Sequence, residues 1–134
     1  IYHLVCPVKY RRDVFTPEVS HTLKTVCVEF GPAYSINFLE IGIDEDHAHF
    51  LIQTIPHTRF SDMVKKIKSI TARHIFKTHP EVKQKLWGGH FWTQGYYANT
   101  VGQYGNLTMI HNYVKNQGIK HYEQLHVQQL SLLE

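Results

Sequence analysis

Residues 34 to 55 read "YSINFLEIGIDEDHAHFLIQTI", two apolar runs separated by three acidic residues. Both runs have strand composition and "DED" is a tight polar turn, so the segment is expected to fold as a β-hairpin. Side chains alternate along a strand, which sends His47 and His49 to the same side of its second half. Two imidazoles so placed can reach one ion. They can equally be a hairpin cap and a hydrogen-bonded, half-buried histidine. Two ligands make a weak site, so a metal would need a third from elsewhere in the chain.

Working outward toward the N-terminus, "YHLVCPV" (residues 2 to 8) reads as a strand, with Pro7 suggesting an edge position or a bulge near its end. Basic "KYRR" follows. Thr16, Pro17 and Glu18 form a helix start, and Val19, Leu23, Val26, Cys27 and Phe30 keep helical spacing until Gly31-Pro32. On the other side of the hairpin, Ser61 is positioned to cap a second helix. There Met63, Val64, Ile67, Ile70 and His74 share a face that Lys65, Lys66, Lys68 and Arg73 largely avoid. The aromatic stretch "WGGHFWTQGYYANTVG" is expected to be a fourth strand entered through the glycine pair. Asn106 caps a last helix through Gln117, and the tail beyond residue 121 reads as weakly helical and extending from the core.

The order strand, helix, strand, strand, helix, strand, helix is the split βαβ, ferredoxin-like α+β arrangement, expected as a single domain over residues 1–134. Helices cover one face of an antiparallel sheet and leave the other available, the face on which such folds often bind nucleic acid.

Composition sets bounds on function. Hydrophobic residues make up 43% and charged residues 19% of the 134, as in soluble globular proteins. No apolar run approaches the roughly 20 residues of a membrane helix, and no leader segment is visible. The chain opens on Ile1, so a few native residues are expected ahead of it. A net charge of +3 and a pI near 8.9 lean toward anionic partners. Cys6 and Cys27 have no metal or redox spacing and suit a reducing cytosol. The eleven histidines are the unusual item.

A third ligand has one candidate in "MIHNYVKNQG". Tyr113 and Gln117 are four residues apart, hence neighbours on one helical face, and a glutamine amide oxygen suits a hard cation. The same pair is also explained by Tyr113 packing with Met109 and Ile110 while Gln117 caps the helix end. Tyr122 with His126 is a rival pair on spacing alone.

Taken in order, "KYRR", "DHAHFL", "IKSITARHIF", "LWGGHFW", the "YY" and "TVG" that follow, and "YVKNQ" resemble the single-tyrosine HUH transposases of the insertion-sequence 200/605 family, over nearly the whole chain. The resemblance implies that His47 and His49 are metal ligands, Gln117 the third ligand and Tyr113 the nucleophile on the C-terminal helix. It also implies DNA contacts by Arg11, Arg12, Lys65, Lys68 and Arg73. The implied activity is cutting and rejoining of hairpin-containing single-stranded DNA through a 5′-phosphotyrosine. It would depend on Mg²⁺, for which Mn²⁺ substitutes, in a cytoplasmic prokaryotic homodimer that joins sheet edges and shares active sites. The strand within residues 90 to 101 is the candidate edge. Phe91, Trp92, Tyr96 and Tyr97 are candidates for stacking on bases, or else for the sheet core or a dimer contact. Cys6-Pro7 and the stretch after Gln117 depart from the family pattern.

Two other readings remain at this point. One is a metal-dependent phosphohydrolase without covalent catalysis, against which stands the lack of an obvious carboxylate base in these motifs. The other is a non-catalytic, ferredoxin-like RNA-binding module with structural histidines.

Overall fold

The structure, a computed structural model, describes residues 1–55, 58–101 and 122–124. Five antiparallel strands form one sheet: β1 (Tyr2–Pro7), β2 (Ile36–Ile43), β3 (His47–Thr54), β4 (Tyr97–Thr100) and β5 (Tyr122–Gln124), in the spatial order β4-β1-β3-β2-β5. Helix α1 (Pro17–Phe30) links β1 to β2, and α2 (Phe60–Thr78) with the short α3 (Pro80–Lys85) links β3 to β4. The expected ferredoxin-like arrangement is therefore present in its first four strands. The helix expected to end at Gln117 lies outside the described residues.

The core lies between the sheet and the two long helices. Leu4, Cys6, Ala48, Phe50, Ile52, Ile36, Phe38, Ile41 and Ile43 meet Val19, Leu23 and Cys27 of α1 and Met63, Val64, Ile67 and Ile75 of α2. A bulge between Phe38 and Glu40 makes one face of β2 continuous. Ile36 and Phe38 keep one phase of the strand alternation, and the extra residue lets Ile41 and Ile43 return to the same face. It also turns Glu40 and Gly42 to the second face, opposite Leu51 and His49.

That second face is less open than expected. His3, Glu40 and Leu51 are all buried there. The uninterrupted apolar run Phe50-Leu51-Ile52 is the pattern of a strand covered on both sides.

Local details correct the reading of single residues. Pro7 ends a central strand and marks no edge: β4 pairs with β1 only as far as Val5, and the Pro7 carbonyl accepts from the Thr93 N–H at 3.0 Å. The Thr16 hydroxyl caps α1 through the Val19 N–H at 3.2 Å, as expected. Ser61 caps nothing, since α2 begins at Phe60 with Arg59 as its uncapped N-terminal neighbour. The Phe60 ring lies 4.7 Å from that of Tyr2, so packing sets this start. The buried stripe of α2 runs through Thr71 and Ile75, leaving Ile70 half-buried and His74 exposed.

The aromatic stretch is a strand only over Tyr97–Thr100, at a sheet edge. Its first half lies over α2. Trp92 is buried and donates its Nε1–H to the Thr71 hydroxyl at 3.0 Å, while Lys68 donates to the carbonyls of Thr93, Gln94 and Gly95 at 2.7, 3.1 and 2.9 Å. Phe91 and Trp92 thus fill the core and are not available for bases. Residues 122–124, expected as part of a helical tail, pair with β2 instead.

Gly31 ends α1 in helical conformation, and the chain continues as a 3-10 turn to Tyr34. A Cβ on Gly31 would stand 2.5 Å from the Ile36 carbonyl oxygen. Backbone holds that oxygen, so Gly31→Ala is expected to cost about 1–3 kcal/mol. Urea denaturation with an unchanged m-value checks it.

Candidate metal centre

His47 and His49 open β3 and project from the second face, with side-chain exposures of 22% and 13%. Their ring centroids are 4.7 Å apart. The tight turn before them brings back Asp44, whose N–H donates to the His47 carbonyl at 3.0 Å. Asp44 Oδ2 lies 3.0 Å from His47 Nε2 and 3.4 Å from His49 Nε2. One donor atom from each of the three residues falls within a mutual 4.8 Å, the only such cluster among the described residues.

The sequence reading passed over Asp44 as a turn residue. The signal was nevertheless local: a carboxylate three residues before the first histidine, across a tight turn, lies beside the start of the returning strand.

The opposite edge of each ring is also engaged. His47 Nδ1 lies 2.7 Å from Asp46 Oδ1. Asp46 in turn accepts two hydrogen bonds from Arg11, Nε to Oδ2 at 2.9 Å and Nη2 to Oδ1 at 3.3 Å. The His47 hydrogen bond and the Arg11 guanidinium hold the Asp46 carboxyl below its usual range. Tyr10 and Arg11 carry positive φ values of 60° and 54°, a conformation that costs non-glycine residues free energy. This bend accompanies the reach of the Arg11 side chain to the hairpin turn.

His49 Nδ1 lies 3.0 Å from Nε2 of His3, a buried residue of β1. Burial, then the neighbouring His47 and His3, lower the His49 imidazole to about 4, against which the Asp44 carboxylate pulls weakly upward. Burial likewise lowers the His3 imidazole. His49 is therefore neutral near pH 7, the form that can ligate.

Two imidazole nitrogens and a carboxylate oxygen, with His49 neutral, fit a divalent cation of hard to borderline character. Asp44→Ala is expected to weaken Mn²⁺ binding roughly tenfold or more with the circular dichroism spectrum unchanged, as titration calorimetry would read.

The remaining sequence candidates divide. Arg11, with its side chain exposed, pairs with Asp46, and the half-buried Lys68 directs its ammonium at the 93–95 carbonyls. Arg12, Lys65 and Arg73 are exposed. Tyr113 and Gln117 lie outside the described residues. Tyr122 pairs with Gly42, which pairs with His49, so the rival tyrosine's backbone stands two strands from a candidate ligand histidine. A cleft of about 790 Å³ runs from Asp44, Asp46 and His47 to Pro17, Ser20, His21 and Lys24 of α1.

Comparison with known proteins is consistent in direction. The family model described as "Transposase IS200 like" matches residues 1–117. The Deinococcus radiodurans protein named ISDra2 transposase TnpA is 33% identical over 116 residues, which span 87% of this chain and 82% of that one. A Salmonella typhimurium transposase for insertion sequence element IS200 is 28% identical over 116 residues, covering 87% and 75% of the two chains. Among solved structures, the 1.90 Å crystal structure of a candidate transposase from Deinococcus radiodurans R1 superposes with a TM-score of 0.70 at 31% identity, covering 87% of this chain and 88% of the other. A REP-associated tyrosine transposase bound to a REP hairpin shares the fold, with a TM-score of 0.55 at 12% identity over 87% of this chain and 66% of that one.

Proposed function

Because this chain belongs to the family of IS200-like transposases, we propose that it cuts and rejoins hairpin-containing single-stranded DNA through a covalent link to Tyr113. The observation that carries the proposal is the convergence of Asp44, His47 and His49 at one hairpin, with both histidines turning Nε2 toward the carboxylate. These three, with Gln117, would hold the ion. A bound divalent cation, Mg²⁺ or Mn²⁺ in its place, supplies neutralisation of charge on the non-bridging phosphate oxygens during in-line attack.

The chain's own groups do the rest. The Tyr113 phenolate attacks phosphorus, the P–O3′ bond breaks, and the products are a 5′-phosphotyrosine and a free 3′-OH. A phenol, with a pKa of about 10, leaves readily when a DNA 3′-OH attacks in the reverse sense. Rejoining therefore needs no external energy source. Arg12, Lys65 and Arg73 are the exposed cations suited to phosphates, and the exposed Tyr96 and Tyr97 are the aromatics left to stack on unpaired bases. The hairpin carried by the REP-associated relative supports a hairpin as the recognised form.

Hydrolysis is the second reading, and Asp44 favours it. A carboxylate does stand at the site, contrary to the sequence-based argument, and it could take a proton from water. One experiment separates the two. The protein is incubated with a hairpin-containing single strand and Mg²⁺ or Mn²⁺, then run on a denaturing gel. A protein–DNA band that survives denaturation is expected; cut DNA without any adduct would establish hydrolysis.

The homodimer belongs to the same proposal. Among the described residues strand β4 ends the sheet, with all four of its residues exposed, Tyr97 at 69%. That is an edge on which a second sheet can continue. Among the described residues no helix is long and apolar enough to cross a membrane, and the free, buried Cys6 and Cys27 suit a reducing cytosol. If the tyrosine helix serves the partner's metal site, mixing His47→Ala chains with Tyr113→Phe chains should restore one working site per heterodimer. No recovery in verified heterodimers would put all the groups on one chain.

A further inference from the structure

We infer that Arg11 and His3 are positioning residues that hold the two ligand imidazoles from behind, Arg11 through Asp46 on His47 and His3 directly on His49. The inference rests on the metal-binding reading above and extends it to residues that would not touch the ion.

The chemistry of the ring nitrogens makes the case. For His47 to offer a lone pair at Nε2, its proton must sit on Nδ1. Asp46 Oδ1, at 2.7 Å, accepts that proton's hydrogen bond and so selects the tautomer. An aspartate next in sequence to its histidine would swing freely in an exposed turn. The Arg11 guanidinium removes that freedom by gripping both carboxylate oxygens, at 2.9 and 3.3 Å, from a segment 35 residues away. A paired fork fixes a plane as well as a distance, which a single lysine ammonium cannot do.

Among the described residues, the group behind His49 is another imidazole and not a carboxylate. Its Nδ1 faces Nε2 of His3 at 3.0 Å, and the two rings lie nearly parallel, 12° apart. With the Nδ1 proton donated to His3, Nε2 of His49 is left as a lone pair toward Asp44. His3 then accepts at Nε2, with its own proton on Nδ1. The sheet register sets this contact, since β1 and β3 pair antiparallel with Val5 opposite His49. The third donor, Asp44, lies on the far side of both rings. Each histidine is thus held between an orienting group and a metal-facing group.

The test uses the full chain and Co²⁺ or Mn²⁺ alone, without DNA. Titration calorimetry gives affinity, and the visible spectrum of bound Co²⁺ reports the ligand field. Wild type is expected to bind with a defined spectrum. Arg11→Met and His3→Leu should each weaken binding roughly ten- to hundredfold and alter the spectrum. His3→Gln restores an acceptor and should recover most of the affinity. Arg11→Lys keeps the charge without the fork and should recover little.

Thermal melts of the metal-free variants identify unfolding, and the His3→Gln rescue distinguishes orientation from packing. Binding and spectra equal to wild type in Arg11→Met and His3→Leu would overturn the inference while leaving the metal site standing. So would His3→Gln as weak as His3→Leu. Wild type that binds no divalent cation would overturn both readings together.

Discussion

Tyr113→Phe is expected to abolish both DNA cleavage and the covalent adduct while leaving Mn²⁺ and hairpin binding close to wild type. The substitution removes one hydroxyl and keeps the ring, so any packing role for Tyr113 would be preserved and the melting temperature should hold. The loss of rate should be on the order of 10⁴-fold or more, the scale seen when a covalent nucleophile is deleted. Tyr122→Phe is the control, and a demanding one. Its strand β5 pairs Tyr122 with Gly42, next to His49 on β3, so proximity alone does not dismiss it. Under the proposal this variant cuts normally. Retained cutting in Tyr113→Phe, or loss confined to Tyr122→Phe, would move the nucleophile and show the family assignment wrong at its central residue.

Replacing His47 or His49 with Ala should have the second largest effect, a loss of cleavage of at least about 10³-fold with hairpin binding nearly unchanged. Neither ring is part of the hydrophobic core between sheet and helices. Folding should therefore survive, with the midpoint of thermal unfolding moved by a few degrees. Failure of both variants to fold would instead favour a structural role for the pair.

His49→Ala carries a further signature in the metal-free protein. Folded His49 has its pKa lowered to about 4, against 6.5 as its ordinary value. Between those values the unfolded chain binds a proton that the folded chain refuses. Stability from this group is therefore complete above pH 6.5 and is lost as pH falls toward 4. Wild type should lose stability over that window more steeply than His49→Ala, as denaturant midpoints at pH 7 and pH 5 would reveal.

The order of elements was legible because it depends on local rules. The Thr16-Pro17 start of α1, the turn between β2 and β3, and the two-residue alternation that puts both histidines on one side follow from backbone geometry within a few residues. Where a competing long-range contact existed, the local rule lost. Ser61 yielded the start of α2 to the packing of Phe60 on Tyr2. The stretch before β4 yielded strand geometry to the hold of Thr71 and Lys68 on residues 92–95.

The candidate site divides along the same line. The sequence by itself determined that His47 and His49 share a face, since a strand leaves no other choice, and its family resemblance pointed to Tyr113 and Gln117. Only the tertiary structure showed Arg11 as the partner of Asp46, and only it brought His3 to His49. Those pairs are 35 and 46 residues apart in the chain. Which atoms meet over such separations depends on strand register and on the bend at Tyr10-Arg11, and no periodicity encodes either.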